Sequence, residues 1–173
     1  MLSASRPRRS SGTWRNSKQP EFDSEMTAAY EYKFTRGHRL ENSATVDSPE
    51  GAHEYWCSVV ESRDWFTANR EHVVTIFLNT RCRVVGHHLV GLGSINECTA
   101  HPRDVLGPVL CASAHSFVLM HNHPSGDPSP SSADHALTRK IREGADLLNV
   151  ELADHVIIGG PDSWFSFREA GLL

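Results

Sequence analysis

The segment His121-Asn122-His123 sets two imidazoles two residues apart, and Asp134 follows with ten residues between it and His123. In an extended chain, residues i and i+2 point to the same side, so both rings can converge on one point. The intervening Pro124-Ser125-Gly126-Asp127-Pro128-Ser129-Pro130 is a turn-rich connection that cannot be regular structure. Ser131-Ser132-Ala133-Asp134 then reads as a capped helix start. Such a loop can fold the helix start back over the strand end and bring the carboxylate to the two rings. Two imidazoles and one carboxylate, with a fourth position left to water, form a catalytic zinc pattern. Zinc would bring the pKa of that water down to about 7. Non-haem iron uses the same ligand types, so they leave the metal open. In the plainer alternative, the rings bond loop carbonyls and Asp134 is an ordinary acid at a helix start. The letters H-N-H do not make an HNH nuclease, whose three residues are dispersed over a longer ββα unit.

The flanking sequence supplies the elements that must position these groups. Ser48-Pro49-Glu50 opens a helix with a cap, a first-turn proline and an acid at the positive end. Ala52, Tyr55, Trp56, Val59 and Val60 continue it as a half-buried stripe. Residues 71–78 are rich in β-branched side chains and predict a buried strand, and a tight connection at 79–81 leads to a second strand over 82–92. Pro102 starts a short helix through Val105 and Leu110, and residues 116–121 form another buried strand. The helix after Ser131 has Ala133, Leu137, Ile141, Ala145 and Leu148 as its apolar stripe. Two last strands fall at 154–159 and 163–167. The mixture predicts an α/β or α+β domain.

Length and composition are those of one soluble globular domain: 173 residues, 39% hydrophobic and 22% charged. No apolar run approaches the roughly 18 residues of a membrane span, and no apolar N-terminal core suggests a secretory signal. A cytoplasmic location is the expectation. Cys57, Cys82, Cys98 and Cys111 form no C-x-x-C pair and read as reduced, mostly buried thiols. Residues 1–20 carry five basic residues and no acidic ones, which leaves twelve basic against twenty-one acidic residues, a net charge of −9, in residues 21–173. That body is a poor DNA-binding surface. The tail reads as a solvated leader, with weak nucleic-acid contact or an organellar transit peptide as alternatives. Residues 1–47 lack a sustained hydrophobic period and are read as an extension, with 48–173 as the folded domain.

The run from His121 to Asp134 resembles the signature of the RadC family, a bacterial branch of the JAB/MPN metalloprotease-like proteins with an H-x-H-P…S-x-x-D motif. Gly93-Ser94-Ile95-Asn96, His101-Pro102-Arg103-Asp104, Asp154-His155-Val156-Ile157-Ile158-Gly159 and Ser166-Phe167-Arg168-Glu169-Ala170-Gly171 resemble its flanking motifs, so the likeness covers residues 48–173. It implies a JAB/MPN, cytidine-deaminase-like architecture with one Zn²⁺ held by His121, His123 and Asp134. Ser131 would match the motif serine that holds the water or the developing oxyanion. Glu71, ahead of the strand over 71–78, best matches the glutamate that takes a proton from the water and passes it to the leaving amine. Glu97 is the reserve for that role.

His87 and His88 fall on opposite faces of their strand and read as structural, with one of them facing the site as the alternative. His155 beside Asp154 reads as a paired structural imidazole, with support of a metal ligand as the alternative. Longer RadC proteins carry a helix-hairpin-helix region ahead of this domain, and residues 1–47 show no such hairpin. The expected function is zinc-dependent hydrolysis of an amide or isopeptide bond in a peptide or protein substrate. The alternative is a non-catalytic DNA-repair or recombination accessory module, with nucleic acid as its partner. Oligomeric state and substrate identity are not given by the sequence.

Overall fold

The structure, a computed structural model, describes residues 44–93 and 100–173. The basic tail lies outside these residues, as do Glu97, Cys98 and Ser94-Ile95-Asn96. The fold is mixed α/β. Five strands, β1 (His72–Leu78), β2 (Val84–Leu92), β3 (Ser116–Asn122), β4 (Glu151–Gly160) and β5 (Ser163–Ser166), make one sheet in the order β2-β1-β3-β4-β5. All neighbours are antiparallel except β3 and β4, which run parallel. The helices are α1 (Pro49–Tyr55), α2 (Pro102–Cys111) and α3 (Ser132–Leu147). The parallel step needs a crossover, and α3 supplies it.

Both faces of the sheet are covered, which is why β1 and β3 read as unbroken apolar runs and are buried along their whole length. On one face Val74, Ile76, Leu78, Val118, Met120, Val156 and Ile158 pack with Ala52, Tyr55 and Trp56. On the other, Val73, Phe77, Phe117 and Leu119 pack with Val105, Leu106 and Val109 of α2 and Ile141 and Ala145 of α3. The alternation of strand side chains assigns the odd-numbered residues of β3, His121 among them, to the α2–α3 face.

Several local expectations need correction. The first helix keeps its Ser48 cap, whose Oγ accepts from Gly51 N at 3.2 Å, but after Tyr55 it widens into a π-helical turn, Trp56–Val60. That turn buries Trp56 and Val60 completely and leaves Val59 half-buried. Residues 44–47, read as part of the extension, pack on the sheet: Thr45 bridges to Arg83, and Val46 is 3% exposed. The inner face of α3 is Asp134, Thr138, Ile141 and Ala145, whereas Ala133 and Leu148 are exposed. The first two turns of α3 lie over the His pair rather than over the apolar core, so polar groups take the inner positions there. Nor are the described cysteines buried thiols. Cys57 and Cys82 are half-buried and Cys111 is exposed, all three free. No helix among the described residues is long and apolar enough to cross a membrane.

Candidate metal centre

His121 is the next-to-last residue of β3, and His123 follows its end, so the pleat aims both rings at the α3 face. Their Nε2 atoms lie 3.0 Å apart. Ser131 is the N-cap of α3 and closes a capping box with Asp134: its Oγ accepts from Asp134 N at 3.2 Å, and its own N–H donates to Asp134 Oδ2 at 2.8 Å. The cap thereby turns the Asp134 carboxylate toward β3. Its Oδ1 lies 3.2 Å from His121 Nε2, and its Oδ2 lies 3.7 Å from His123 Nε2. One ligand atom from each of His121, His123 and Asp134 falls within 4.8 Å of the others, so the three can hold a metal ion.

The loop between strand and helix is built to keep this arrangement. His123 N donates to Ile158 O at 2.8 Å, and Gly126 N donates to His123 O at 3.0 Å. Gly126 takes a φ of +84°, which a side chain would strain. Gly159 of β4 meets the loop so closely that a Cβ would sit 2.6 Å from Gly126 O and 3.0 Å from Pro128 N. The His123 ring is fixed from behind by Asp127 O, 2.7 Å from Nδ1. A carbonyl only accepts, so Nδ1 carries the proton that bonds it, and Nε2 faces Asp134.

The electrostatics match a cation site. Burial alone would raise the Asp134 carboxyl, but the His121 and His123 rings beside it hold it well below the usual carboxylate range. His123 is raised, first by the Asp134 carboxylate 3.7 Å from its Nε2, against a burial that works the other way, and further by the charge of Glu71. A proton on His123 thus meets the same excess of acceptors that would draw a metal ion. His155, fully buried, is pushed well below the ordinary histidine range by desolvation and by His121.

The other expected residues fall as follows. Glu71 is half-buried, just before β1. In the β1–β3 register Val73 pairs with His121, so two residues outward Glu71 falls opposite His123. Asn122, between the two histidines, points to the other face and clamps the chain on both sides of Glu71. Its Oδ1 accepts from His72 N at 2.9 Å, and its Nδ2 donates to Arg70 O at 3.0 Å. The Ser131 hydroxyl, which the resemblance gives to water or oxyanion, donates to Asp134 Oδ2 at 2.6 Å. His87 bonds the Tyr55 hydroxyl at 2.7 Å, away from the metal centre.

His155 is not paired with the Asp154 carboxylate. Asp154 accepts instead from the backbone N–H groups of His155 and Arg168 and from Ser166 Oγ, and burial pushes its carboxyl up. The His155 ring lies 2.9 Å from His121 Nδ1 and 2.6 Å from Thr138 Oγ1. The H-x-H…D motif does not include Thr138, Asn122 or the Asp127 carbonyl, all of which hold the site in place. Thr138 had a signal: it stands four residues after Asp134, on the same helix face.

A family model described as "RadC-like JAB domain" matches residues 46–172. Among curated relatives, a "UPF0758 protein" of Chlorobaculum parvum is 45% identical over 105 residues, which is 61% of this chain and 47% of the relative. One from Bacillus licheniformis is 44% identical over 105 residues, 61% of this chain and 46% of the relative. One from Chlorobium luteolum is 34% identical over 149 residues, 86% of this chain and 64% of the relative. The chain thus spans about half the length of several of the relatives it matches. With a matching model over most of its length, a mixed sheet and a His, His, Asp cluster at the end of β3, the chain belongs to the RadC-like JAB domain family.

Proposed function

We propose that His121, His123 and Asp134 bind one zinc ion and that the domain hydrolyses an amide or isopeptide bond in a peptide or protein substrate. The observation that carries this reading is the convergence of three ligand atoms within 4.8 Å. The donor set fits the ion: two imidazoles and a carboxylate face inward, and the outer nitrogen of His123 is tied to Asp127 O. The likeness to the JAB/MPN motif favours zinc over iron, which would accept the same ligands. When bound, zinc supplies a Lewis acid for the carbonyl and a water acidic enough to ionise near pH 7.

The chain's own groups do the rest. Glu71, opposite His123 and held by the Asn122 clamp, takes the proton of the attacking water on its carboxylate and returns it to the departing amine nitrogen. Ser131 secures Asp134, and its service to the oxyanion would require its hydroxyl to leave that carboxylate. Ser131→Ala separates the two roles: a weaker metal affinity marks the first, and a lower kcat at full metal occupancy marks the second.

Elemental analysis of the purified chain, beside His123→Ala, is the first test. About one zinc per chain, lost in the variant, supports the site. Screening against fluorogenic peptides and isopeptide-linked substrates then follows, with Glu71→Gln as the control that keeps zinc and loses turnover. Zinc without turnover on any such substrate would overturn the hydrolase reading. No zinc in metal-replete protein would overturn the metal reading, and salt-dependent DNA binding would then mark the accessory-module alternative.

A further inference from the structure

Behind the ligands, a chain of hydrogen bonds runs from α3 through β4 to β3, and its protons can be assigned from one end. The start is the backbone carbonyl of Asp134, which can only accept. Thr138 Oγ1 lies 2.6 Å from it and must donate its single proton there. That leaves Thr138 Oγ1 as an acceptor toward His155 Nδ1, also at 2.6 Å, so Nδ1 of His155 carries a proton and donates it. A neutral imidazole with its proton on Nδ1 has a bare Nε2. His155 Nε2 therefore accepts from His121 Nδ1 across 2.9 Å, and a neutral His121 then has a bare Nε2. That is the atom 3.0 Å from His123 Nε2 and 3.2 Å from Asp134 Oδ1.

The relay is dry and held in place. Thr138 is 2% exposed, His155 0% and His121 1%. His155 also stacks on Phe167, with ring centroids 4.7 Å apart and planes 12° from parallel, so its ring cannot turn without moving a buried aromatic. Parallel pairing of β3 with β4 sets Leu119 beside His155 and brings the two histidines to bonding distance.

We propose that Thr138 and His155 are positioning residues that set the tautomer of His121, so that its lone pair, rather than an N–H, faces the cluster with His123 and Asp134. The consequence for metal binding rests on reading those three residues as ligands; the tautomer itself does not. Asp134 acts at both ends, through its carboxylate in the cluster and through its carbonyl as the terminus of the relay.

The experiment is nitrogen-15 NMR of the imidazoles in the metal-free full chain near pH 8, followed by titration with Zn²⁺ alone. The expected wild-type result is a proton on Nδ1 of both His121 and His155. In Thr138→Val, nearly the same in shape, His155 loses its acceptor. Its proton is expected on Nε2, facing His121, and the His121 proton on Nε2, facing the cluster. Zn²⁺ affinity should then fall roughly 10–100-fold. Thr138→Ser keeps a hydroxyl and should restore both readings. A proton on Nε2 of His121 in the wild type overturns the relay, whatever the variants do. Unchanged tautomers with unchanged affinity in a folded Thr138→Val also overturn it. The expected tautomers in a wild type that binds no Zn²⁺ support the relay and overturn the metal reading alone.

Discussion

Asn122 shows how much one side chain between two histidines can do. Its amide bonds Arg70 O and His72 N, so the residue between them, Glu71, is held opposite His123 by a clamp on the far side of the sheet. Asn122→Ala leaves a buried N–H and a carbonyl unpaired and is expected to destabilise the fold by about 1–3 kcal/mol. Zn²⁺ should still bind, since no ligand is touched, while turnover on any substrate found by screening should fall. Denaturant melts beside a metal titration check this, and loss of the metal in a folded variant would refute it. Tyr55 and His87 are a second pair with a readable consequence. Burial lowers His87 to about 4 and raises Tyr55 to about 12. His87 takes a proton more readily in the unfolded chain, so its contribution is present above pH 6.5 and is lost as pH falls toward about 4. Tyr55 loses its proton more readily when unfolded, so its contribution is complete below pH 10 and is lost as pH rises through about 12. Thermal melts of wild type and His87→Gln should therefore diverge at neutral pH and converge toward pH 4.

At the scale of elements, the connection from β3 to α3 carries the site, and it depends on β4. Gly159 touches no expected ligand, yet a methyl there would collide with Gly126 O and Pro128 N, which are backbone atoms that cannot turn aside. Gly159→Ala is expected to push residues 124–130 outward, taking the Asp127 carbonyl off His123, at a cost of about 1–3 kcal/mol. A lowered melting temperature together with weaker Zn²⁺ binding would confirm it, and wild-type binding would refute it. The Ser131 cap joins folding to the site more directly. Its hydroxyl and N–H both meet Asp134 Oδ2, so Ser131→Ala should cost about 1 kcal/mol of stability and weaken the metal together.

For the molecule as a whole, the edge of the sheet starts earlier than the hydrophobic pattern suggests. Val46 is buried against the core, and Thr45 pairs with Arg83 beside β2. A chain begun at residue 44 should melt close to the full one, whereas a chain begun at Ser48 should lose about 1.5–3 kcal/mol with the Val46 side chain. Equal melts for the two truncations would return the boundary to 48. Residues 44–173 carry sixteen acidic and nine basic residues, so a chain begun at residue 44 is expected to show no salt-dependent DNA affinity in a filter or anisotropy assay.

What the sequence determined by itself is whatever is encoded within a few neighbouring residues. The caps at Ser48 and Ser131, the buried strands β1 and β3, the broken loop at 124–130 and the H-x-H…D spacing all follow from local sterics, from side chains bonding nearby backbone, or from a period of two. Tertiary structure decided the rest, because those features depend on which surfaces meet. The π-helical turn at Trp56 leaves no mark in an apolar stripe. Thr138 looks like an ordinary helix threonine and His155 like the partner of Asp154 until α3 lies across β3 and β4. That crossing is set by the core that α3 shares with α2 and the sheet and by a parallel strand pairing between residues far apart in the chain, and it alone brings Thr138, His155 and His121 into one line of hydrogen bonds.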